Sequence, residues 1–256
     1  MSEQSIHRLY RHFFELPASL RMLFSGALIV LGLGYIFALL YVYTAHSGRD
    51  GRPGLSVEDI IITYSGSAET TRLESALQGP MSSMLGENDL VSLLTWIRAG
   101  AMQAGYDSQA KSIIEENCLS CHDGSNPHLS NLDGFDNVRL VTERDTGADL
   151  YTLVRVSHIH LFGLSFIFFI MGSIFSHAYL RPVWFKCTVI FVPFVCIALD
   201  VSSWYFTKLF APFAWMVLVA GAFMGLSFAF MWLVSMYQMW LYKAPPELLG
   251  RVIDSS

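Results

Sequence analysis

Four stretches of the chain are long and apolar, and a polar stretch of about a hundred residues separates the first from the second. Residues 22–43 carry no charged side chain. At 1.5 Å per residue they reach about 33 Å, enough to cross a hydrocarbon layer of ~30 Å. The second apolar run follows Leu150 and is flanked by Arg155 and Arg181, and the third lies between Lys186 and Lys208 with Pro193 and Asp200 inside it. Pro193 predicts a kink. The fourth falls within the uncharged residues 209–242, with Trp215, Trp240 and Tyr242 as interfacial belt residues. Between the first two runs the pattern changes to short amphipathic helices. Ser56 with Asp59 forms a capping box for a helix through Tyr64. A second helix over 71–77 is stopped by Gly79-Pro80. A third spans 88–99, where Leu90, Leu93, Leu94 and Ile97 recur at helical spacing, and a further short one is predicted over 135–142.

This pattern defines a mainly α protein of four transmembrane helices with a small α-helical domain inserted between the first and second. The segments are 1–18 as an N-terminal extension, 19–46 as span one, 47–150 as the inserted domain, 151–180, 183–208 and 211–242 as spans two to four, and 243–256 as a tail. Gly and Pro in residues 47–54 mark the boundary after span one. A content of 53% hydrophobic against 14% charged residues excludes an ordinary soluble domain. The net charge of -5 conceals an asymmetry, since residues 47–150 hold 16 acidic and 7 basic side chains while the remainder is net positive. No basic stripe indicates nucleic-acid binding. His7, Arg8, Arg11, His12 and Arg21 precede the first run and acids follow it, which places the N-terminus in the cytoplasm. Four spans then bring the C-terminus back beside it and leave 47–150 outside. Thr44-Ala45-His46 offers no small-residue cleavage site, so span one reads as an uncleaved signal anchor.

The polar domain contains the pentapeptide Cys118-Leu119-Ser120-Cys121-His122. C-x-x-C-H is the spacing by which two thiols form thioethers with porphyrin vinyl groups while the adjacent imidazole ligates the iron. A zinc site needs further Cys or His ligands at ribbon-like spacing, and none follow in this segment. A redox dithiol would sit beside a βαβ pattern, which is absent. Asp107 and Ser108 are candidate N-caps for a helix leading into the motif, and Ala110, Ile113, Ile114, Cys118 and Cys121 give it an apolar face. The other two cysteines, Cys187 and Cys196, lie within apolar sequence and read as small core residues.

The run Ile113-Ile114-Glu115-Glu116-Asn117-Cys118 with its motif resembles the first helix of c-type cytochromes. Gly79-Pro80-Met81 followed by Glu87, Leu90, Leu94, Trp96, Ile97 and Gly100-Ala101 is similar to the closing part of a small member of that family, here preceding the attachment motif. The match is thus circularly permuted and covers about residues 70–125. The resemblance implies covalent haem c on Cys118 and Cys121, His122 as proximal iron ligand, and a Gly/Pro-flanked Met as distal ligand. Met81 holds that position, with Met84 and Met102 behind it and His128 as a nitrogen alternative; after His122 the next Met is Met171, inside a span. Attachment of haem c takes place on the periplasmic side, so the resemblance implies a multi-pass protein of the bacterial cytoplasmic membrane with its haem domain in the periplasm. Spans two to four are not assigned to a family from their residues.

Ionisable groups within spans are costly and point to function. His46, His158, His160 and Asp200 fall at one predicted level near the outer ends of spans one to three. Two histidines from different spans can ligate a b-type haem. Alternatively a histidine and Asp200 form a quinol site with imidazole as the proton acceptor. The bland alternative is interfacial groups satisfied by water and headgroups. Residues i and i+2 leave a helix on different faces, which disfavours His158 and His160 as a copper or zinc pair. The leading expectation is a mono-haem cytochrome carrying electrons from quinol or a partner subunit to a periplasmic acceptor, with its acidic face steering a basic electron-transfer protein. A haem-based sensor or assembly module, or an accessory subunit of a larger respiratory oxidoreductase, remain alternatives.

Overall fold

The computed structural model describes residues 11–127 and 129–243. Its long helices are α1 (Ala18–His46), α7 (Leu150–Phe175), α8 (Val183–Leu209) and α9 (Ala214–Trp240), and α2 to α6 are Val57–Ser65, Arg72–Gln78, Glu87–Arg98, Lys111–Asn117 and Phe135–Val141. Among the described residues there is no strand, only an isolated antiparallel bridge between Thr71 and Arg144. All four predicted apolar runs are helices long and apolar enough to cross a membrane. The chain divides into two compact units. One holds most of the long helices, up to Ala38, over Arg155–Ser202 and from Met216; the other is Leu39–Val154 with Ser203–Trp215.

The helical unit packs Leu28 of α1, Phe168, Met171 and Phe175 of α7, Ile197 of α8 and Met224, Phe228 and Met231 of α9 into one core. Polar hydrogens are placed singly: Trp232 Nε1 donates to the Leu28 carbonyl at 2.8 Å and Trp240 Nε1 to Ser25 Oγ at 2.8 Å. The predicted span over 151–180 ends early, at Phe175. The reason is a capped turn: His177 and Ala178 bond back to Ile174 and Phe175, and Gln238 takes both backbone groups of Tyr179 at 2.7 and 2.8 Å. Lys186 Nζ donates to the carbonyls of Ser176 and Ala178, in the turn just beyond the helix end. Helix α8 runs on through Pro193.

The second unit begins with helices whose caps were readable. Ser56 Oγ accepts from Asp59 N while an Asp59 oxygen accepts from Ser56 N, closing the capping box of α2, and Thr71 caps α3 through Glu74 N. Leu77 of α3, Leu93, Trp96 and Ile97 of α4, Ile114 of α5 and Val138 and Val141 of α6 form its core with Tyr106, Ala110 and Leu132. The two ends of the polar segment are stitched together. Ser67 N donates to Asp145 O, Asp145 N to Thr70 O, Arg72 N to Glu143 O and Ala148 N to Thr63 O. At the crossing stand Gly66 and Gly147, both at positive φ. A Cβ on either would lie 2.1 Å from Asp145 O or 2.3 Å from Tyr64 O, closer than any side chain can come.

The helix into the pentapeptide starts earlier than expected. It opens at Gln103, passes through a π turn over Tyr106–Ala110 and continues as α5, with Met102 rather than Asp107 or Ser108 as N-cap. Trp96 sets the start, donating from Nε1 to Met102 O at 3.0 Å. Its ring lies against Gly105, where a Cβ would meet Cδ1 at 2.7 Å. A π turn accommodates one extra residue within a helix and often marks a functional segment.

Candidate functional site

Helix α5 ends at Asn117, and the chain keeps turning: Cys121 N and His122 N both donate to Cys118 O, at 3.2 and 2.9 Å. This gathers Cys118, Cys121 and His122 on a single turn. Cys118 and Leu119 are half-buried against the core of the second unit, whereas Cys121 is exposed. Burial pushes the Cys118 thiol pKa up. That is the opposite of what an attacking dithiol needs.

His122 is held on both sides. Its ring Nδ1 lies 2.7 Å from the Ser130 carbonyl and its own carbonyl accepts from Leu132 N at 2.8 Å. A carbonyl only accepts, so Nδ1 carries the proton and Nε2 the lone pair. The loop that reaches back turns at Gly124, at φ +86, where a Cβ would meet the Asn131 side chain at 2.8 Å. His128, the nitrogen alternative for a distal ligand, lies outside the described residues. Met81 is half-buried and caps a short 3-10 turn over Ser82–Met84, with its N–H on Ala76 O at 2.9 Å. Met84 and Met102 are exposed.

The residues predicted at one membrane level divide between the units. His46 closes α1 in the second unit, and His158, His160 and Asp200 belong to the helical unit. Thr63 Oγ1 donates to Asp59 O at 2.8 Å and therefore accepts from His46 Nδ1 at 3.1 Å, which leaves Nε2 as the basic nitrogen of His46. His160 Nδ1 bonds back to Val156 O at 3.0 Å, His158 is exposed, and Asp200 is buried. Among the described residues no three His, Cys, Asp or Glu side chains converge as a metal site. A haem tethered by thioethers, whose porphyrin supplies four of the iron's ligands, does not need such a group.

Two features of the second unit were invisible in sequence. One is a buried charged cluster: Asp59 is wholly buried, Asp145 nearly so, and Arg49 is half-buried between their fields. Burial lowers the Arg49 pKa, and Asp145 and Asp59 counter the shift. The other is a latch at the glycine crossing. Lys208 Nζ donates to the carbonyls of Tyr64, Thr146 and Ala148 at 2.8, 3.0 and 2.7 Å. Beside it Ser65 Oγ donates to Thr207 O at 2.6 Å and Tyr64 stacks on Trp204 with centroids 5.8 Å apart. Both depend on contacts between residues far apart in the chain, which periodicity does not encode.

Helices of this length and composition make the chain a multi-pass membrane protein. Residues 146–246, which include the second, third and fourth apolar helices, match the family model Aq_1264_TM, described as a transmembrane helical domain. No curated protein and no solved structure matches the chain.

Proposed function

We propose that this protein is an integral membrane cytochrome carrying one covalently attached haem c, which passes electrons between a membrane donor, quinol or a partner subunit, and an acceptor on the periplasmic side. The observation that carries this reading is the fixed tautomer of His122. A metal-ligating histidine ordinarily donates its second ring N–H to a carbonyl, which orients the ring and raises its basicity. His122 does so to Ser130, at the end of the turn bearing both thiols. The site also fits a bulky group, because Cys121 is exposed and Cys118 lies at the core edge, where a porphyrin margin can pack on Leu119. When bound, the haem supplies a one-electron couple; the chain fixes it through Cys118 and Cys121 and supplies the proximal nitrogen from His122. Met81 is the proposed distal ligand, and His/Met ligation raises the potential. His46, whose basic nitrogen is Nε2, is proposed as a b-type haem ligand or the proton acceptor of a quinol site, and His158, His160 and Asp200 of the helical unit are each proposed separately for the same roles.

Protein produced with c-type maturation machinery should retain haem-linked peroxidase stain on a denaturing gel. The double variant C118A/C121A should lose it completely, and His122→Ala should alter the absorption spectrum of whatever haem remains attached. Wild-type protein that runs without stain overturns the reading, as does a reporter fusion that places residue 118 in the cytoplasm.

A further inference from the structure

Arg49 stands three residues beyond the end of α1, with its aliphatic stem against Gly79: a Cβ there would fall 2.9 Å from Arg49 Cγ. One N–H, on Nη2, donates to Ala45 O at 3.2 Å, and Nε is buried with no hydrogen-bond partner among the described residues. The acids nearby are engaged elsewhere. Asp59 accepts from the backbone N–H of Asp50 and Ser56, and Asp145 accepts from Gly147 N. Among the described residues no carboxylate stands within ion-pairing distance of the guanidinium.

A buried donor left unmatched is costly, and more so on a charged group, so a half-buried arginine whose Nε is itself buried calls for a complementary acceptor. The acceptor best matched to a guanidinium fork is a planar carboxylate taking two parallel N–H bonds. Location narrows the source. Gly79 follows Leu77, whose side chain shares a core with Ile114, Cys118 and Leu119, and it precedes the candidate ligand Met81 by two residues. Arg49 itself lies outside residues 70–125, which carry the likeness to c-type cytochromes.

We infer that Arg49 holds a propionate carboxylate of the attached haem by donating from Nε and Nη, with Gly79 leaving the gap in which its stem lies. The inference rests on the haem reading given under Proposed function. Its rival is a purely structural Arg49 that balances Asp59 and Asp145 and polarises His46, the charged and titratable groups around it. The two roles differ in what the haem senses.

The test uses the full chain, matured with haem and purified in detergent, as wild type, Arg49→Gln and Arg49→Lys. A pyridine haemochrome assay on the wild type comes first; absence of covalent haem there sinks the functional reading itself. With haem attached, Arg49→Gln should lower the midpoint potential, because losing a positive charge beside the porphyrin favours the ferric state. The propionate bending bands in resonance Raman spectra should shift in both variants, since lysine keeps the charge but cannot form the fork. Wild-type potential and bands in Arg49→Gln, with only the melting temperature lowered, leave Arg49 structural and overturn the inference. Should Arg49→Gln fail to accumulate, Arg49→Lys decides, and unshifted propionate bands in it overturn the inference equally.

Discussion

The helical unit and the polar unit of this chain are stabilised in different ways. In the helical unit, apolar faces of four helices meet in one core, and the hydrogen bonds of Trp232 and Trp240 are local additions to it. In the polar unit the fold depends on a backbone crossing at Gly66 and Gly147 that admits no substitute, locked by three bonds from one lysine. The first arrangement spreads its free energy over many interchangeable contacts, and the second concentrates it in a few positions. Substitutions should therefore be tolerated in the long helices and punished at the crossing.

The largest effect is expected at the crossing itself. Gly147→Ala forces a Cβ into Tyr64 O and places alanine at φ +68, so it should destabilise the polar unit by at least ~3 kcal/mol. Limited proteolysis should then cut within residues 47–150 while the long helices stay intact; a wild-type cleavage pattern would remove the distinction drawn above. Next comes Lys208→Met, which deletes three hydrogen bonds from a cation and leaves three carbonyls to find other donors. Because Lys208 is exposed, solvent recovers part of the loss, and a cost of about 2 kcal/mol is expected. Thermal unfolding followed by cleavage near Tyr64 measures it. In the helical unit, Trp232→Phe removes one indole bond to Leu28 O and some contact over Gly32, worth roughly 1 kcal/mol. A drop in detergent melting temperature as large as that of Gly147→Ala would show that the helical unit is no more forgiving.

The same contrast explains what was legible. The four apolar helices follow from run length and composition, and α2, α3, α4 and α6 follow from caps and apolar spacing, because both signals are local. The observed ends of elements differ from the predicted ones wherever a distant residue supplies the boundary. Gln238 and Lys186 end α7 at Phe175, and Trp96 starts the helix into the pentapeptide at Gln103. The candidate site divides likewise. Cys118, Cys121 and His122 declare themselves by spacing, but the Ser130 carbonyl that fixes the imidazole depends on how a loop folds back. Arg49 reads only as part of a Gly/Pro linker, since nothing local says that its stem packs half-buried beside Gly79.

The smallest expected effect tests whether a local signal at the start of α7 acts as sequence logic says. Asp149 precedes α7 and accepts from Thr152 N at 2.9 Å and Thr152 Oγ1 at 2.7 Å, as an N-cap should. These bonds hold its carboxyl below the usual aspartate range. A depressed folded-state pKa contributes stability that is present above the unfolded value, near 3.9, and lost as pH falls through the folded value. Asp149→Ala should therefore cost about 0.5 kcal/mol at pH 7, the low end for a cap because the site is exposed. The cost should be unchanged down to about pH 5 and shrink towards pH 3. Asp149→Asn, which keeps an acceptor for Thr152 N but has no charge, should fall between the two at pH 7 and match wild type in acid. A gap between wild type and Asp149→Ala that stays constant to pH 3 would mean that geometry alone, without the carboxylate charge, starts α7.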